Sequence, residues 1–429
     1  MKKFLAMALA VAMTLSLAAC GSSNGSSSSA GSNTGSNSSA SGSQTTNVSD
    51  FKVGAIYING QNDTAGYTYQ HHKGITTAME NLGMDPETQL LIVDLVPEND
   101  TEVSNAIDTL ASQGCQMIIG ISFGYLNAMD AAAAKPEYSD IIFTHATGYL
   151  SNPDNFNNYF GRIYQARYLT GIAAGLKSLE TGNNSVGYVA AYNLEYAETC
   201  SGINAFALGV QAVNPDATVT VKTLDTWGDE TLERQTAQAL IDAGCGVIAQ
   251  HCDSAQPQLA AQEAGVFGCG YNSDMTEQAP NAHITAAIWH WDVYYQAAIE
   301  AAMQGKEHFM ETMGEAYYAG LAEGMVDISP INEAVAAPGT DAAIEAVREL
   351  IVSGEWDVFS GVKLNITVNE DGTVNVEQVD APLMCNGYEL LNGEMVERDP
   401  EVVPAGGPSV DDAVIKGSMN YNVEGVVVG

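Results

Sequence analysis

Basic side chains are scarce in this chain of 429 residues. It has 15 lysines and arginines against 52 aspartates and glutamates, which gives a formal net charge of −37. Binding to nucleic acid or to an anionic membrane surface through long-range electrostatics requires clustered lysine and arginine. The shortage therefore excludes DNA, RNA and anionic lipid as partners held in this way. Charged residues make up only 16% and hydrophobic residues 46%, so most of the chain can still bury a core.

Cysteine pairs and cofactor fingerprints are also missing. The seven cysteines are scattered without a C-x-x-C pair, and the sequence has no P-loop, no H-E-x-x-H and no dinucleotide fingerprint. His71 and His72 would point about 100° apart on a helix, and residues 251–253, His-Cys-Asp, are too compact for a tetrahedral site. We therefore expect no metal and no cofactor. The six cysteines after Cys20 would allow disulfides outside a cell, but their wide spacing favours small buried residues.

The first residues form a targeting segment. Lys2 and Lys3 precede an apolar stretch at 4–17 that is too short to span a bilayer. Residues 17–20, Leu-Ala-Ala-Cys, match the lipobox of bacterial lipoproteins, in which a signal peptide at 1–19 is removed and Cys20 is acylated. Residues 21–49 carry no charge and have the composition of a flexible tether. We expect a lipid anchor at the extracytoplasmic face of the bacterial cell membrane.

From residue 50 onward, short apolar runs alternate with amphipathic stretches. The expected strands are 52–58, 89–95, 116–121, 140–144, 185–191, 218–223, 246–250 and 266–271, and the expected helices are 101–112, 164–179, 202–213, 230–243 and 255–264. This alternation predicts an α/β fold of βαβ units, with parallel sheets flanked by helices. Turn formers interrupt the series near 150–162. We therefore expect two lobes, 50–162 with part of 286–310, and 163–285 with much of 311–429.

The C-terminal hundred residues follow a different pattern. We expect helices at 292–304 and 341–353 and a strand at 319–327. The Asp371-Gly372 pair between two further strand patterns predicts a β-hairpin of residues 363–368 and 374–379. These elements would add strands and a hairpin to the two lobes.

Ligands of parallel α/β sheets bind at the carboxyl ends of the strands, so the residues at those ends are candidates for a binding site. Aromatic rings and a few carboxylates there predict a cleft for a flat, polar small molecule. The candidates are Asp63, Tyr67, Tyr69, Phe123, Tyr125, His145, Trp227, Asp253, Asn272, Asp274 and Trp289, together with the segment 192–198. Any single ring could instead pack lobe against lobe, and Asp63 could equally cap the helix that carries Tyr67.

Several segments together resemble the basic membrane protein (BMP) family of ABC-transporter substrate-binding lipoproteins, which includes purine nucleoside receptors. Residues 63–71, DTAGYTYQH, are similar to a family D-x-G-W-T-Y-x-H segment with one residue inserted. Further similar segments are 122–125, 145–149, 161–168, 202–206, 250–254, 273–275 and 423–426. The resemblance covers nearly all of 52–429. It implies a two-lobed fold of the periplasmic-binding-protein type I class with three crossovers.

The resemblance also implies a ligand and roles for individual residues. Purine nucleosides or bases would be clamped between rings such as Tyr67, Phe123 and Trp227, with Asp253 and Asp274 accepting hydrogen bonds from the purine edge. Nucleoside-binding members hold the ribose with acidic residues at two places that read His145 and Asn272 here. Charge-assisted hydrogen bonds are the strong ones, so we expect a free purine base such as adenine, or a related heterocycle. The implied partner is an ABC permease, and we expect a monomer.

Two other readings stay open from the sequence. A membrane-anchored sensor would use the same cleft and the same closure. Residues 120–124, Gly-Ile-Ser-Phe-Gly, satisfy G-x-S-x-G between a strand and a helix, so a serine hydrolase with Ser122 as nucleophile is conceivable. Asp229 and His251 could complete its triad, but no pattern fixes their geometry. We therefore expect a binding protein and not an enzyme.

Overall fold

Two parallel sheets organise the protein. The computed structural model describes residues 47–64 and 66–429. The predicted signal peptide, Cys20 and nearly all of the tether lie outside the described residues. The first sheet has the order β11-β5-β4-β3-β1-β2, and the second has the order β12-β10-β9-β8-β6-β7-β19. Their strands are β1 Val53–Ile56, β2 Leu90–Val93, β3 Met117–Gly120, β4 Ile142–Ala146, β5 Phe156–Gly161, β6 Ser185–Ala190, β7 Thr218–Thr223, β8 Val247–His251, β9 Phe267–Asn272, β10 His283–Trp289, β11 Ala316–Ala319, β12 Val326–Ile328 and β19 Val426–Val428.

Helices flank both sheets, as expected for parallel strands that must be covered on each face. They are α1 Gly66–Asn81, α2 Pro86–Gln89, α3 Asp100–Ser112, α4 Leu126–Ala133, α5 Ile163–Thr181, α6 Ala197–Val213, α7 Glu230–Asp242, α8 Gln256–Ala264, α9 Trp291–Met303, α10 Lys306–Met313, α11 Thr340–Ser353 and α12 Asp412–Gly417. Short 3₁₀ turns occupy Val48–Asp50, Phe123–Tyr125 and Pro136–Tyr138. Within the part of the chain that the structure describes, no helix is both long and apolar enough to cross a membrane.

The chain passes between the sheets three times, as the resemblance implies. It leaves the first sheet after β5 through α5, returns from β10 through α9 and α10 to β11, and goes back from β11 to β12. Adjacent strands of both sheets are parallel except for β12, which pairs antiparallel with β10. These crossovers place the two sheets side by side with the carboxyl ends of their strands toward a shared cavity.

The eight expected strands are all confirmed, but two expectations about other strands are wrong. Residues 156–161 form β5, although this stretch was expected to belong to a turn-rich interruption. Its buried Asn157 accepts a hydrogen bond from the Tyr294 hydroxyl at 2.9 Å, and Asn158 donates to the Leu150 and Glu315 carbonyls at 3.2 Å. Distant partners thus satisfy asparagines that look like turn formers in the sequence.

The single strand expected at 319–327 is in fact two strands of different sheets. β11 pairs with β5 in the first sheet, and β12 pairs with β10 in the second. The chain turns between them through Gly320 and Gly324, and Gly324 has a φ of +73°. The predicted hairpin is confirmed as β13 Val362–Val368 and β14 Val374–Asp380, with Val368 opposite Val374. Four short strands complete the C-terminal region: β15 Leu383–Met384, β16 Tyr388–Leu391, β17 Glu394–Glu397 and β18 Glu401–Val403.

The core of the second sheet depends on a close approach of α5 to α6. A Cβ on Gly171 would lie 2.2 Å from the Phe206 carbonyl oxygen, and one on Gly209 would lie 2.2 Å from that of Tyr168. The two helix backbones therefore meet without intervening side chains. The prediction that cysteines are small buried residues is also confirmed, because all six in the described residues are buried and free.

Candidate functional site

A cavity of about 590 Å³ lies where the carboxyl ends of the two sets of strands face each other. Most of its residues follow β1, β2, β3 and β4 in the first sheet and β6, β7 and β8 in the second, where the sequence predicts a cleft. The lining residues are Ile58, Asn59, Tyr67, Leu95, Pro97, Glu98, Ser122, Phe123, Thr147, Phe160, Tyr192, Tyr196, Ala197, Glu198, Thr226, Trp227, Gly228, His251, Asp253, Tyr271 and Lys416. This volume is typical of small-molecule sites.

Aromatic rings form one wall of the cavity. Tyr192, Tyr196 and Trp227 pack mutually, with ring centroids 4.7–4.9 Å apart. Phe123, which follows β3 of the first sheet, meets the Tyr196 ring edge-on at 5.8 Å. The rings of both sheets therefore adjoin in the same cavity. Such packing orients aromatic faces for a planar ligand.

Tyr67 brings a ring from the first turn of α1. Its hydroxyl donates a hydrogen bond to the Ile121 carbonyl, which holds the ring against the end of β3. The helix begins at Gly66, whose φ is +88° and where a Cβ would lie 1.8 Å from the Asp253 carbonyl oxygen. Only glycine permits this approach. The start of α1 is therefore set directly against the loop after β8 in the second sheet.

Asp253 presents a carboxyl group to the cavity. The side-chain amide of Asn272 donates to its Oδ1 at 3.1 Å. Asn272 ends β9 with a φ of +67°, a left-handed conformation that asparagine tolerates better than most residues. Burial, reinforced by the nearby charge of Glu233, raises the pKa of Asp253 to about 8, although the Asn272 hydrogen bond opposes the shift. Asp253 is thus largely protonated at neutral pH and can donate as well as accept.

A second carboxyl group, Glu198, lies at the start of α6. Its Oε2 is 3.4 Å from Nε2 of His251, and burial raises the pKa of Glu198 to about 7 while the charge of Arg167 opposes the shift. Burial lowers the pKa of His251 well below its usual value, and the charge of Arg167 lowers it further. The Arg167 guanidinium lies over the Tyr271 ring, 3.7 Å from its centroid. A buried cation behind an aromatic lining residue therefore supports this end of the cavity.

Four of the eleven predicted site residues line the cavity: Tyr67, Phe123, Trp227 and Asp253. Asn272 reaches it indirectly, because its amide orients the Asp253 carboxyl. Two others hold the loops that carry lining residues. The Tyr125 hydroxyl donates to the Val96 carbonyl at 2.6 Å, and His145 Nε2 lies 2.7 Å from the Ser122 carbonyl oxygen. Both side chains are buried beneath the cavity lining.

The remaining four predicted residues are not brought to the cavity. Trp289 is buried behind Tyr271, to whose hydroxyl its indole N–H donates at 3.2 Å. Asp274 is exposed and accepts hydrogen bonds from the backbone and hydroxyl of Thr276. Asp63 is exposed and lies three residues before the start of α1, so it is not at the capping position. Tyr69 is half-buried on α1 but does not belong to the lining.

Sequence reasoning did not single out several lining residues. Tyr192, Tyr196 and Glu198 fall in the segment 192–198, which the sequence analysis proposes as a whole without selecting individual residues. Phe160 was missed because its strand was missed. Lys416 lies far along the chain from every other lining residue, and no local pattern of its segment points to a site.

The hydrolase arrangement is not assembled. The Ser122 hydroxyl donates to the Glu98 carboxylate at 2.7 Å, and the Gly124 amide donates to the same oxygen. Asp229 instead caps α7 by accepting a hydrogen bond from the Leu232 amide at 2.9 Å. A serine nucleophile needs a histidine base within hydrogen-bond reach, but Nε2 of His251, the candidate base, lies 3.4 Å from Oε2 of Glu198, and the Ser122 hydroxyl is engaged by Glu98. The G-x-S-x-G segment therefore forms part of the cavity wall.

The family Bmp, described as ABC transporter substrate-binding protein PnrA-like, matches residues 51–358. A purine-binding protein of Brucella abortus is 34% identical over 313 residues, covering 72% of this chain and 83% of that protein. A Haloferax volcanii protein named as a putative ABC transporter glucose-binding protein is 36% identical over 266 residues. The match covers 62% of this chain and 64% of that protein, so this chain spans less than two thirds of that relative's length.

The solved structure of an ABC transporter solute-binding protein from Aeropyrum pernix K1 is similar with a TM-score of 0.58 at 17% identity, covering 75% of this chain and 95% of that one. At this identity the likeness concerns the fold alone. The family match extends over most of the chain and agrees with the two-sheet architecture. The chain therefore belongs to the Bmp family of extracytoplasmic ABC transporter substrate-binding proteins, which are solute receptors and not enzymes.

Proposed function

We propose that this protein captures a purine base in the cavity between its two sheets and delivers it to an ABC permease. The observation that carries the proposal is the composition of the cavity wall. Rings from both sheets, including Tyr67, Phe123 and Trp227, lie beside the carboxyl groups of Asp253 and Glu198. A purine has two aromatic faces and a polar edge, so it requires stacking rings together with a few hydrogen-bonding groups. The purine-binding relative from Brucella abortus supports the same ligand class.

A free base suits the site better than a nucleoside. The resemblance implies that nucleoside-binding members of the family have acidic residues at the places of Asn272 and His145. The Asn272 amide is engaged with Asp253, and His145 is buried against the Ser122 carbonyl. Neither side chain offers a carboxylate to a ribose diol, so the charge-assisted hydrogen bonds to the sugar at these two places would be lacking.

Capture would proceed by closure of two lobes, 50–162 with part of 286–310 and 163–285 with much of 311–429. Stacking and hydrogen bonds made to both sheets at once stabilise the closed state, because an open form can satisfy only one side of the ligand. The closed surface would then be recognised by the permease. We propose that the receptor acts as a monomer.

A thermal-shift screen of the purified protein tests the ligand class. Adenine, hypoxanthine, adenosine, guanosine, uracil and glucose are compared at equal concentrations, because a ligand that binds only the folded state raises the melting temperature by mass action. We expect the largest shift with a free purine base. A larger shift with nucleosides would refute the preference for a base. A shift with glucose alone would refute the purine proposal and favour the ligand class of the Haloferax volcanii relative.

We also propose that Cys20 carries the lipid anchor and that residues 21–49 tether the receptor outside the membrane. A chain of this composition and length has an r.m.s. span of about 30 Å. The Cys20→Ser variant, expressed in a bacterial host, should move from the membrane fraction to the soluble fraction. Retention of this variant in the membrane fraction would contradict the proposed anchor.

A further inference from the structure

The last part of the chain lies beyond the residues matched to the family and contributes to the cavity. The family matches residues 51–358, and we define residues 359–429 as the C-terminal extension. Its strand β19 pairs with β7 at the edge of the second sheet. The amide of Asn204 on α6 donates to the carbonyl of Tyr421 in the extension at 2.8 Å. The extension is therefore integrated into the second sheet and its covering helices.

Helix α12 of this extension is fixed beside the first crossover. Arg162, between β5 and α5, donates from Nη2 to Asp412 at 2.6 Å and from Nε at 3.2 Å. Asp411 caps the helix by accepting from the Ala413 amide at 2.7 Å, and Ile415 is almost completely buried. An arginine fork on a carboxylate, a cap and a buried side chain together restrict the orientation of this short helix.

The next residue along α12, Lys416, lines the cavity. Among the lining residues of the described chain, it is the only lysine or arginine, whereas Glu98, Glu198 and Asp253 are acidic. Its ammonium group lies 4.8 Å from the centroid of the Tyr318 ring, within the range of a cation–π contact. A lysine offers three hydrogen-bond donors and no acceptor. Lys416 is exposed, so the extension adds a donor-only group at the rim of a cavity whose acidic lining residues are Glu98, Glu198 and Asp253.

We propose that Lys416 is a specificity-determining residue, which raises the affinity for purine bases that carry a carbonyl oxygen on the ring edge. This inference rests on the proposed function. An ammonium group makes a charge-assisted hydrogen bond with a carbonyl oxygen, whereas an exocyclic amino group at the same position would place donor against donor. Hypoxanthine and adenine differ in this respect, since hypoxanthine has a carbonyl where adenine has an amino group.

Calorimetric titration of both bases into the wild-type protein and two variants tests the inference. Lys416→Met removes the donors but keeps an apolar chain against Tyr318. Lys363→Met removes the same charge from β13, at an exposed position in the extension outside the cavity. We expect Lys416→Met to weaken hypoxanthine binding about tenfold and adenine binding by less than about twofold. Lys363→Met should leave both affinities unchanged.

The ratio of the two affinities separates a ligand contact from a structural effect. If Lys416→Met lowers the affinities for both bases equally, or lowers neither, the proposed role of Lys416 is overturned while purine capture still stands. A wild-type protein that binds neither base overturns the proposed function and this inference together. A selective loss of hypoxanthine affinity in Lys363→Met would also overturn the inference. It would show that the overall charge of the protein, and not Lys416 itself, determines the preference for hypoxanthine.

Discussion

Two carboxyl groups at the cavity are expected to contribute a loss of stability to the unliganded protein as the pH rises from 6 to 8. Burial raises the pKa of Asp253 to about 8 and that of Glu198 to about 7. In the unfolded chain both groups titrate near about 4. Between pH 6 and 8 the folded protein therefore binds protons that the unfolded chain has already released. The contribution of these two groups to the free energy of unfolding must therefore fall as the pH rises through this window, while buried histidines with lowered pKa values, such as His145, His251 and His283, contribute in the opposite direction.

The size of the effect follows from the two pKa values. Each pH unit at which one group is protonated only in the folded state changes the free energy of unfolding by about 1.4 kcal/mol. Between pH 6 and 8, Asp253 alone would contribute about 2 kcal/mol and Glu198 about 1 kcal/mol. Both groups border a cavity that solvent can enter, and the Glu198 side chain is 19% exposed. Screening reduces the sum, so we expect the two carboxyl groups together to contribute a loss of about 2 kcal/mol.

Urea unfolding of the wild type and of Asp253→Asn at pH 6, 7 and 8 isolates the contribution of Asp253, because the buried histidines act equally in both proteins. Asp253→Asn removes the larger contribution, so from pH 6 to 8 the wild type should lose more stability, or gain less, than the variant by about 1–2 kcal/mol. Asp216→Asn, at an exposed position between α6 and β7, is the matched control and should retain the wild-type dependence. A pH dependence of Asp253→Asn that equals that of the wild type, or a greater loss of stability in the variant than in the wild type, would refute the reasoning.

Two further substitutions test the aromatic wall of the cavity and the close packing of α5 against α6. Trp227→Leu should weaken purine binding by roughly 5- to 150-fold in calorimetry, because base–aromatic stacking contributes about 1–3 kcal/mol. Tyr149→Leu is the control, because its ring is 71% exposed and lies outside the cavity lining, and it should not change the affinity. If Trp227→Leu and Tyr149→Leu bind purines with equal affinity, Trp227 does not stack on the ligand. Gly171→Ala should lower the free energy of unfolding by about 1–3 kcal/mol, because its Cβ would meet the Phe206 carbonyl at 2.2 Å. Gly417→Ala has open space at its Cβ, so urea curves in which both variants match the wild type would exclude the close helix packing.

The regular elements were predictable where the local pattern and the tertiary environment agree. The apolar runs that form β3 and β8 are buried in the middle of their sheets, so composition alone identifies them. β5 was missed because its asparagines are satisfied by partners such as Tyr294, more than a hundred residues away. β11 and β12 were merged because only the sheet assignment distinguishes one interrupted strand from two.

The candidate site shows the same division. The rule that ligands lie at the carboxyl ends of parallel strands led to Tyr67, Phe123, Trp227 and Asp253, which all line the cavity. The same rule also selected Asp274, because position after a strand does not determine the direction of a side chain. Asp274 accepts hydrogen bonds from its own turn instead.

The sequence by itself determined the α/β class, the strand-end location of the cleft and the resemblance to the substrate-binding family, because these depend on periodicity and on contiguous segments. Tertiary structure alone decided which strand-end residues share the cavity, and it brought Lys416 of the C-terminal extension to the wall. It also determined the raised pKa values of Asp253 and Glu198. Burial and the proximity of residues distant in the chain arise only when the two sheets and their crossovers assemble, so no local pattern encodes them.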